Sequence, residues 1–211
     1  MKTDDLIDAL SNEAAPAPTT PPRRRIMTAL AVGLAIAGVL MVSFLHVRPD
    51  IGTAMMPVMW KAAFSAAAAG AALPLLMRLA RPGRPLGWRV IAVLGFLGLS
   101  AAITGVALIG GDPSQRMSLW MGGAFPWCIV TIPLLAAPTA ALLAWVLRDL
   151  APTRLASSGA ALGAVSGGIG AMAYAMYCPV DSVAFVTTWY ALAIALCAAV
   201  GAVLGTRLLR W

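Results

Sequence analysis

Six stretches of roughly twenty residues, each nearly free of charge, leave this chain little choice of fold. They cover residues 26–45, 57–79, 86–109, 119–147, 155–177 and 182–209. In hydrocarbon every backbone N–H and C=O must find a partner within the protein, and a helix satisfies them within one segment. Composition agrees. Of 211 residues, 61% are hydrophobic and 11% charged, against roughly half and about a quarter in a soluble domain. The sequence therefore predicts an all-α polytopic membrane protein with six transmembrane helices, occupying residues 23–211. The connections are short, so no soluble domain is inserted. The stretch 119–147 contains Pro126, Cys128, Pro133 and Pro138 and is long enough to tilt or kink.

The net charge of +7 raises the question of nucleic acid. The arginines sit at the ends of apolar runs, where the positive-inside rule accounts for them. With the N-terminus inside, Lys2, Arg23, Arg24, Arg25, Arg78, Arg81, Arg84, Arg89, Arg148, Arg154, Arg207 and Arg210 fall on the cytoplasmic side. Arg48, Lys61 and Arg116 fall outside. That bias of twelve to three predicts both termini in the cytoplasm and the 46–50, 112–117 and 177–181 loops facing outward.

Residues 1–22 read differently. Asp4, Asp5, Asp8 and Glu13 stand against Lys2 in the first twenty residues, a side-chain charge of −3, and no apolar core of a signal peptide is present. Thr3 can cap a short helix with Asp4 and Asp5 in its first turn. Leu6, Ile7 and Leu10 then share one face. Such a helix is too short to stand alone in water, which leaves two readings: a frayed tail, or a docking helix that folds on a partner. Residues 14–22 (AAPAPTTPP) form a Pro-rich tether.

Three cysteines cannot form a disulfide framework. Cys178 lies at the outward tip Tyr177-Cys178-Pro179-Val180-Asp181, and Cys128 lies nine residues into the fourth span. A disulfide needs Cα atoms about 4.4–6.8 Å apart, and two thiolates can also take a soft metal ion. Spacing alone leaves open both a functional pair and two unrelated structural cysteines. Cys197, deep in the last span, reads as a small hydrophobe. Lys61 is costly near a helix end in lipid, and Asp50 is its expected partner, giving an Arg48/Asp50/Lys61 ion pair that anchors the first loop. The alternative is a snorkelling lysine. His46 is the only histidine and reads as an interfacial residue. Gly159, Gly163, Gly167, Gly201 and Gly205 permit close helix packing, with bundle packing ahead of a homodimer face. No phosphate loop, mid-membrane carboxylate pair or other catalytic arrangement is present, so neither an enzyme nor a cofactor is expected.

Taken together, these residues resemble the NrsF family, six-span inner-membrane anti-sigma factors of bacteria. The opening Met1-Lys2-Thr3-Asp4-Asp5-Leu6-Ile7-Asp8-Ala9-Leu10 looks like that family's start. Arg48-Pro49-Asp50 with Lys61 looks like its first loop and second span, and Pro126-Trp127-Cys128 and Cys178-Pro179 like its two outward cysteines. The resemblance implies a cytoplasmic N-terminal segment, Thr3, Asp4, Asp5, Leu6, Ile7, Asp8 and Leu10, holding an extracytoplasmic-function sigma factor. It also implies that Cys128 and Cys178 respond to metal or oxidative stress on the periplasmic side, and that the protein itself does not bind nucleic acid. An acidic helix suits the basic surface a sigma factor presents to DNA. Two rivals stand beside it. A membrane thiol oxidoreductase would want a C-x-x-C pair, which is absent. A small metal or solute transporter would need a polar path, for which the sequence offers Thr104, Thr131, Thr187 and Thr188.

Overall fold

The computed structural model describes residues 20–81 and 87–210 together with Thr3, Ile7, Asp8 and Ser11. The described residues are all-helical, and six of the helices are long and apolar enough to cross a membrane. They are α1 (Pro22–Leu45), α2 (Met55–Leu79), α3 (Arg89–Ile109), α5 (Trp127–Arg148), α6 (Leu155–Tyr174) and α7 (Val183–Leu208), with a short α4 (Arg116–Met121) between α3 and α5.

Consecutive spans run antiparallel, so the bundle has two ends. Hydrogen bonds bring the connections around Arg48, Leu119 and Asp181 together at one end. At the opposite end an ion pair between Arg25 and Asp149 ties the start of α1 to the end of α5. The described chain enters and leaves the bundle at that second end.

α6 is the most buried span and α3 the least. The reason is in the sequence of α6, which is dominated by Gly, Ala and Ser. Its glycines face three different neighbours. A Cβ on Gly159 or Gly163 would run into the α7 backbone at Gly201 or Cys197; one on Gly168 would meet the Ala69 Cβ of α2 at 2.8 Å, and one on Gly170 the Ile132 carbonyl of α5 at 2.6 Å. Small residues let backbones approach where lipid supplies no hydrophobic drive between helices. The Gly159/Gly163/Gly167 face is thus taken up by the chain's own α7 rather than left for a second copy.

The core divides along the membrane normal. One half, at the Asp181 end, is aromatic: Phe64, Tyr174, Phe185, Trp189 and Tyr190, with Phe125 and Trp120 packed against them. The other half is aliphatic: Ile26, Leu30, Leu76, Leu143, Leu147 and Leu162. Both Cys128 and Cys178 belong to the aromatic half.

Most boundaries fall within a few residues of expectation, and the largest difference is in the fourth span. The fourth span begins at Trp127, not at residue 119. Residues 116–121 form α4 instead, and Gly122, at φ 54°, turns the chain before Pro126 leads into α5. A left-handed glycine followed by a proline stops one helix and starts another. Cys128 is therefore the second residue of α5, at the helix end rather than nine residues inside it.

Candidate functional site: a charged clamp over two buried thiols

The residues joining α1 to α2 and α6 to α7 meet around two cations. Lys61, in the second turn of α2, is fully buried. Its ammonium donates to the Cys178 carbonyl at 2.7 Å, the Val180 carbonyl at 3.3 Å and Asp181 Oδ1 at 2.8 Å. Those contacts use all three donors of the ammonium, and all lie on one loop.

Arg48 completes the arrangement. Its Nε and Nη2 donate to the two oxygens of Asp50, each at 2.7 Å. Its Nη1 and Nη2 donate to the two oxygens of Asp181 at 2.8 and 3.2 Å, and Nη1 also reaches the Cys178 carbonyl at 3.3 Å. The guanidinium is thus forked onto two carboxylates at once, the geometry that makes such pairs strong. Its backbone N–H donates to the Met176 carbonyl at 3.2 Å. Pro49 turns the chain so that Asp50 folds back over Arg48, and the Asp50 carbonyl accepts from the N–H groups of Thr53 and Ala54 at 3.0 Å. Two cations face two anions, so the cluster is neutral.

The ionisation of the loop carboxylates follows. For Asp181, burial favours the neutral acid, but hydrogen bonds from Arg48 and Lys61 outweigh it and hold the carboxyl below its ordinary value. For Asp50, the Arg48 hydrogen bond is the main cause of a lowered value. Conversely, Asp50 first and Asp181 second raise Arg48 above the usual guanidinium range.

Under this clamp sits Cys178. Its N–H donates to the Tyr174 carbonyl at 3.1 Å, and its thiol lies 3.8 Å from the Val180 carbonyl, a weak contact. Cys128 and Cys178 are both free thiols and fully buried. The hydroxyls of Tyr174 and Tyr190 are buried in the same core cluster as both cysteines, without a well-formed hydrogen bond. Two thiols and two phenols therefore share one apolar pocket of the core. Among the described residues, no third His, Cys, Asp or Glu joins the thiols to make a group of three ligands.

Several expected residues land here and some do not. Arg48 and Asp50 bond each other, but Lys61 does not reach Asp50: its carboxylate is Asp181, 120 residues away in sequence. Asp50 folds onto the guanidinium beside it, which leaves the Lys61 amine to the α6–α7 loop. Cys178 is not displayed on the surface of its tip, because the loop residues that follow fold over it. His46 is exposed, as expected of an interfacial side chain, and Cys197 packs against Gly167. Of the N-terminal residues, Thr3, Ile7 and Asp8 are helical and exposed, and the Ser11 hydroxyl donates to the Asp8 carbonyl at 3.0 Å. Asp4, Asp5, Leu6, Leu10 and the Pro-rich tether to Thr19 lie outside the described residues.

Sequence reasoning missed Asp181 as the hub, and missed the two tyrosines. Charge matching gave a signal for the first, since a buried amine needs a carboxylate at its own end of the bundle and Asp181 is one of few. The Thr104 hydroxyl bonds those of Thr187 and Thr188 at 2.7 and 3.2 Å, and Trp120 Nε1 donates to Thr188 at 3.2 Å. These hydroxyls tie α3 and α4 to α7.

Six membrane-length helices closed at one end by a neutral charge cluster define a class: a multi-pass α-helical membrane protein. More narrowly, the chain belongs to the NrsF family, whose model, described as "Negative regulator of sigma F", matches residues 10–211. It is 36% identical over 214 residues to the probable anti-sigma-F factor NrsF of Azospira oryzae. It is 35% identical over 217 residues to the anti-sigma-F factor NrsF of Caulobacter vibrioides. Each alignment covers 100% of both chains. No solved structure matches this chain.

Proposed function

We propose that this chain is a non-enzymatic anti-sigma factor of the bacterial inner membrane. It holds an extracytoplasmic-function sigma factor through its cytoplasmic segment 1–22 and is anchored by the helical domain 23–211. The observation that carries this reading is the full-length relation to two proteins named as anti-sigma-F factors. The bias of basic residues toward the end opposite Cys178 supports cytoplasmic termini and a periplasmic thiol pair. Tethering at the membrane keeps a bound sigma factor at high local concentration and away from the chromosome.

Cys128 and Cys178 are the sensing pair in this reading. Oxidation or capture of a soft metal ion there adds bulk or charge to a closed pocket. Because Lys61 and Arg48 both hold the Cys178 carbonyl, movement of that residue loosens their grip on the loop. The signal must favour the releasing state by differential interaction, and about 1–3 kcal/mol is typical of such coupling.

The test is a transcriptional reporter for the sigma factor in cells carrying Cys128→Ser with Cys178→Ser. Repression should persist, and induction by a thiol oxidant or soft metal should vanish. Normal induction in that variant overturns the sensing role. Separately, removing residues 1–20 should abolish co-purification of the sigma factor from membranes; retained binding overturns the assignment of the segment.

A further inference from the structure

At the end of the bundle opposite the clamp lies a second, different site. A cavity of about 360 Å³ opens between the start of α1, the end of α2 and the start of α3. Arg23, Arg78, Arg81 and Arg89 line it, and Ile26, Pro74, Met77 and Ala80 form its apolar surface. No carboxylate is among the described residues that line it. Arg23, Arg81 and Arg89 have no ion-pair partner among the described residues. From this geometry we infer that the cavity binds the phosphate headgroup of an anionic phospholipid, which docks here and runs its acyl chains down the outer face of α3.

Three observations point to a lipid. First, Arg23, Arg81 and Arg89 line the cavity without an ion-pair partner among the described residues, and guanidinium forks match phosphate oxygens. α1 and α3 both start at this cavity without a capping side chain and without an acid in the first turn, so their two positive dipole ends outnumber the one negative end of α2, which stops here. Second, the site is amphipathic. Its walls are apolar between the arginines, and α3, which starts at it, exposes Ile91 and Leu94 at 69% and 61%. Third, it lies at headgroup depth. Trp88, just before α3, is 63% exposed and carries the Arg89 guanidinium 5.2 Å from its ring centroid. Aromatic rings of this kind mark the membrane–water boundary, and basic pockets between transmembrane helices take acidic headgroups. An occupant here would brace α1 a few residues after the N-terminal segment joins it.

The experiment is native mass spectrometry of the full-length protein in neutral detergent, titrated with dioleoyl phosphatidylglycerol, cardiolipin or dioleoyl phosphatidylcholine. Retention of the anionic lipids should exceed that of phosphatidylcholine by on the order of tenfold. The triple variant R23Q/R81Q/R89Q should lose that preference. R148Q/R154Q/R207Q removes the same charge from exposed side chains at the same end but outside the cavity, and should keep it. Arg23→Gln alone, at an exposed side chain, should weaken retention severalfold and carries the test should the triple variant misfold. Equal loss in both triple variants overturns the proposal, because attraction is then diffuse. Equal displacement by millimolar inorganic phosphate overturns the lipid assignment. If anionic lipid is retained only after residues 1–20 are removed, the chain's own acidic segment fills the cavity and the proposal fails.

Discussion

Replacing Asp181 by Asn removes one negative charge and changes little in shape. The cluster then carries a charge of +1. Lys61 keeps its two carbonyl acceptors but loses its counter-charge while remaining fully buried. Breaking a fully buried pair by removing one partner costs about 3–5 kcal/mol. The Asp181 side chain is 34% exposed, so water screens part of that, and about 2–3 kcal/mol is the expected loss. This corresponds to a roughly 30- to 150-fold rise in the population with the 176–182 loop open. The readout is the rate of maleimide alkylation at Cys178 in intact membranes at fixed pH, quantified by mass spectrometry. Asp181→Asn should raise that rate by the same factor. Asp50→Asn should change it far less, since Asp50 is solvent-exposed and Arg48 keeps Asp181. An Asp181→Asn rate within about threefold of the parent would refute the idea that this charge cluster closes the thiol pocket.

Two further outcomes follow from the same geometry. Asp50 and Asp181 have lowered carboxyl values in the fold, so their contribution is fully present above the ordinary aspartate value of about 3.9 and is lost as pH falls through the lower folded values. Amide exchange at Cys178, corrected for intrinsic rate, should stay flat from about pH 8 to 5 and rise only below about pH 4; a rise between pH 5 and 7 argues that another group controls the loop. Gly159→Val drives a side chain into the α7 backbone at Gly201 and should destabilise the bundle by about 1–3 kcal/mol or more, seen as a lower midpoint in detergent thermal melts. Gly70→Ala, where a Cβ meets nothing within 4 Å, should leave that midpoint unchanged.

The family relation bears on how the clamp works. If a signal arrives at the thiols, its output must cross the membrane through the spans. α6 contacts α2, α5 and α7 closely through its glycines, where a shift meets backbone or a short side chain. Close-packed backbones of this kind favour movement of α6 as a unit over gradual deformation.

The sequence by itself determined the spans and the segregation of charge between their ends. Both follow from local physics: hydrocarbon requires each backbone segment to bond to itself, and a charge is tolerated only near a helix end. It also showed which helices could approach closely, because glycine spacing is visible in one dimension. Only the tertiary structure decided who meets whom. Residues Lys61 and Asp181 are 120 positions apart, and a helical period names a face without naming its neighbour. The same holds for the glycine faces of α6, each of which meets a different helix. It holds as well for Arg23, Arg78, Arg81 and Arg89, drawn from three helix ends around one cavity. The start of α5 at Trp127, which sets Cys128 at a helix end, turned on the positive φ of Gly122. Apolarity carries through that turn unchanged, so hydropathy alone ran the span straight across it.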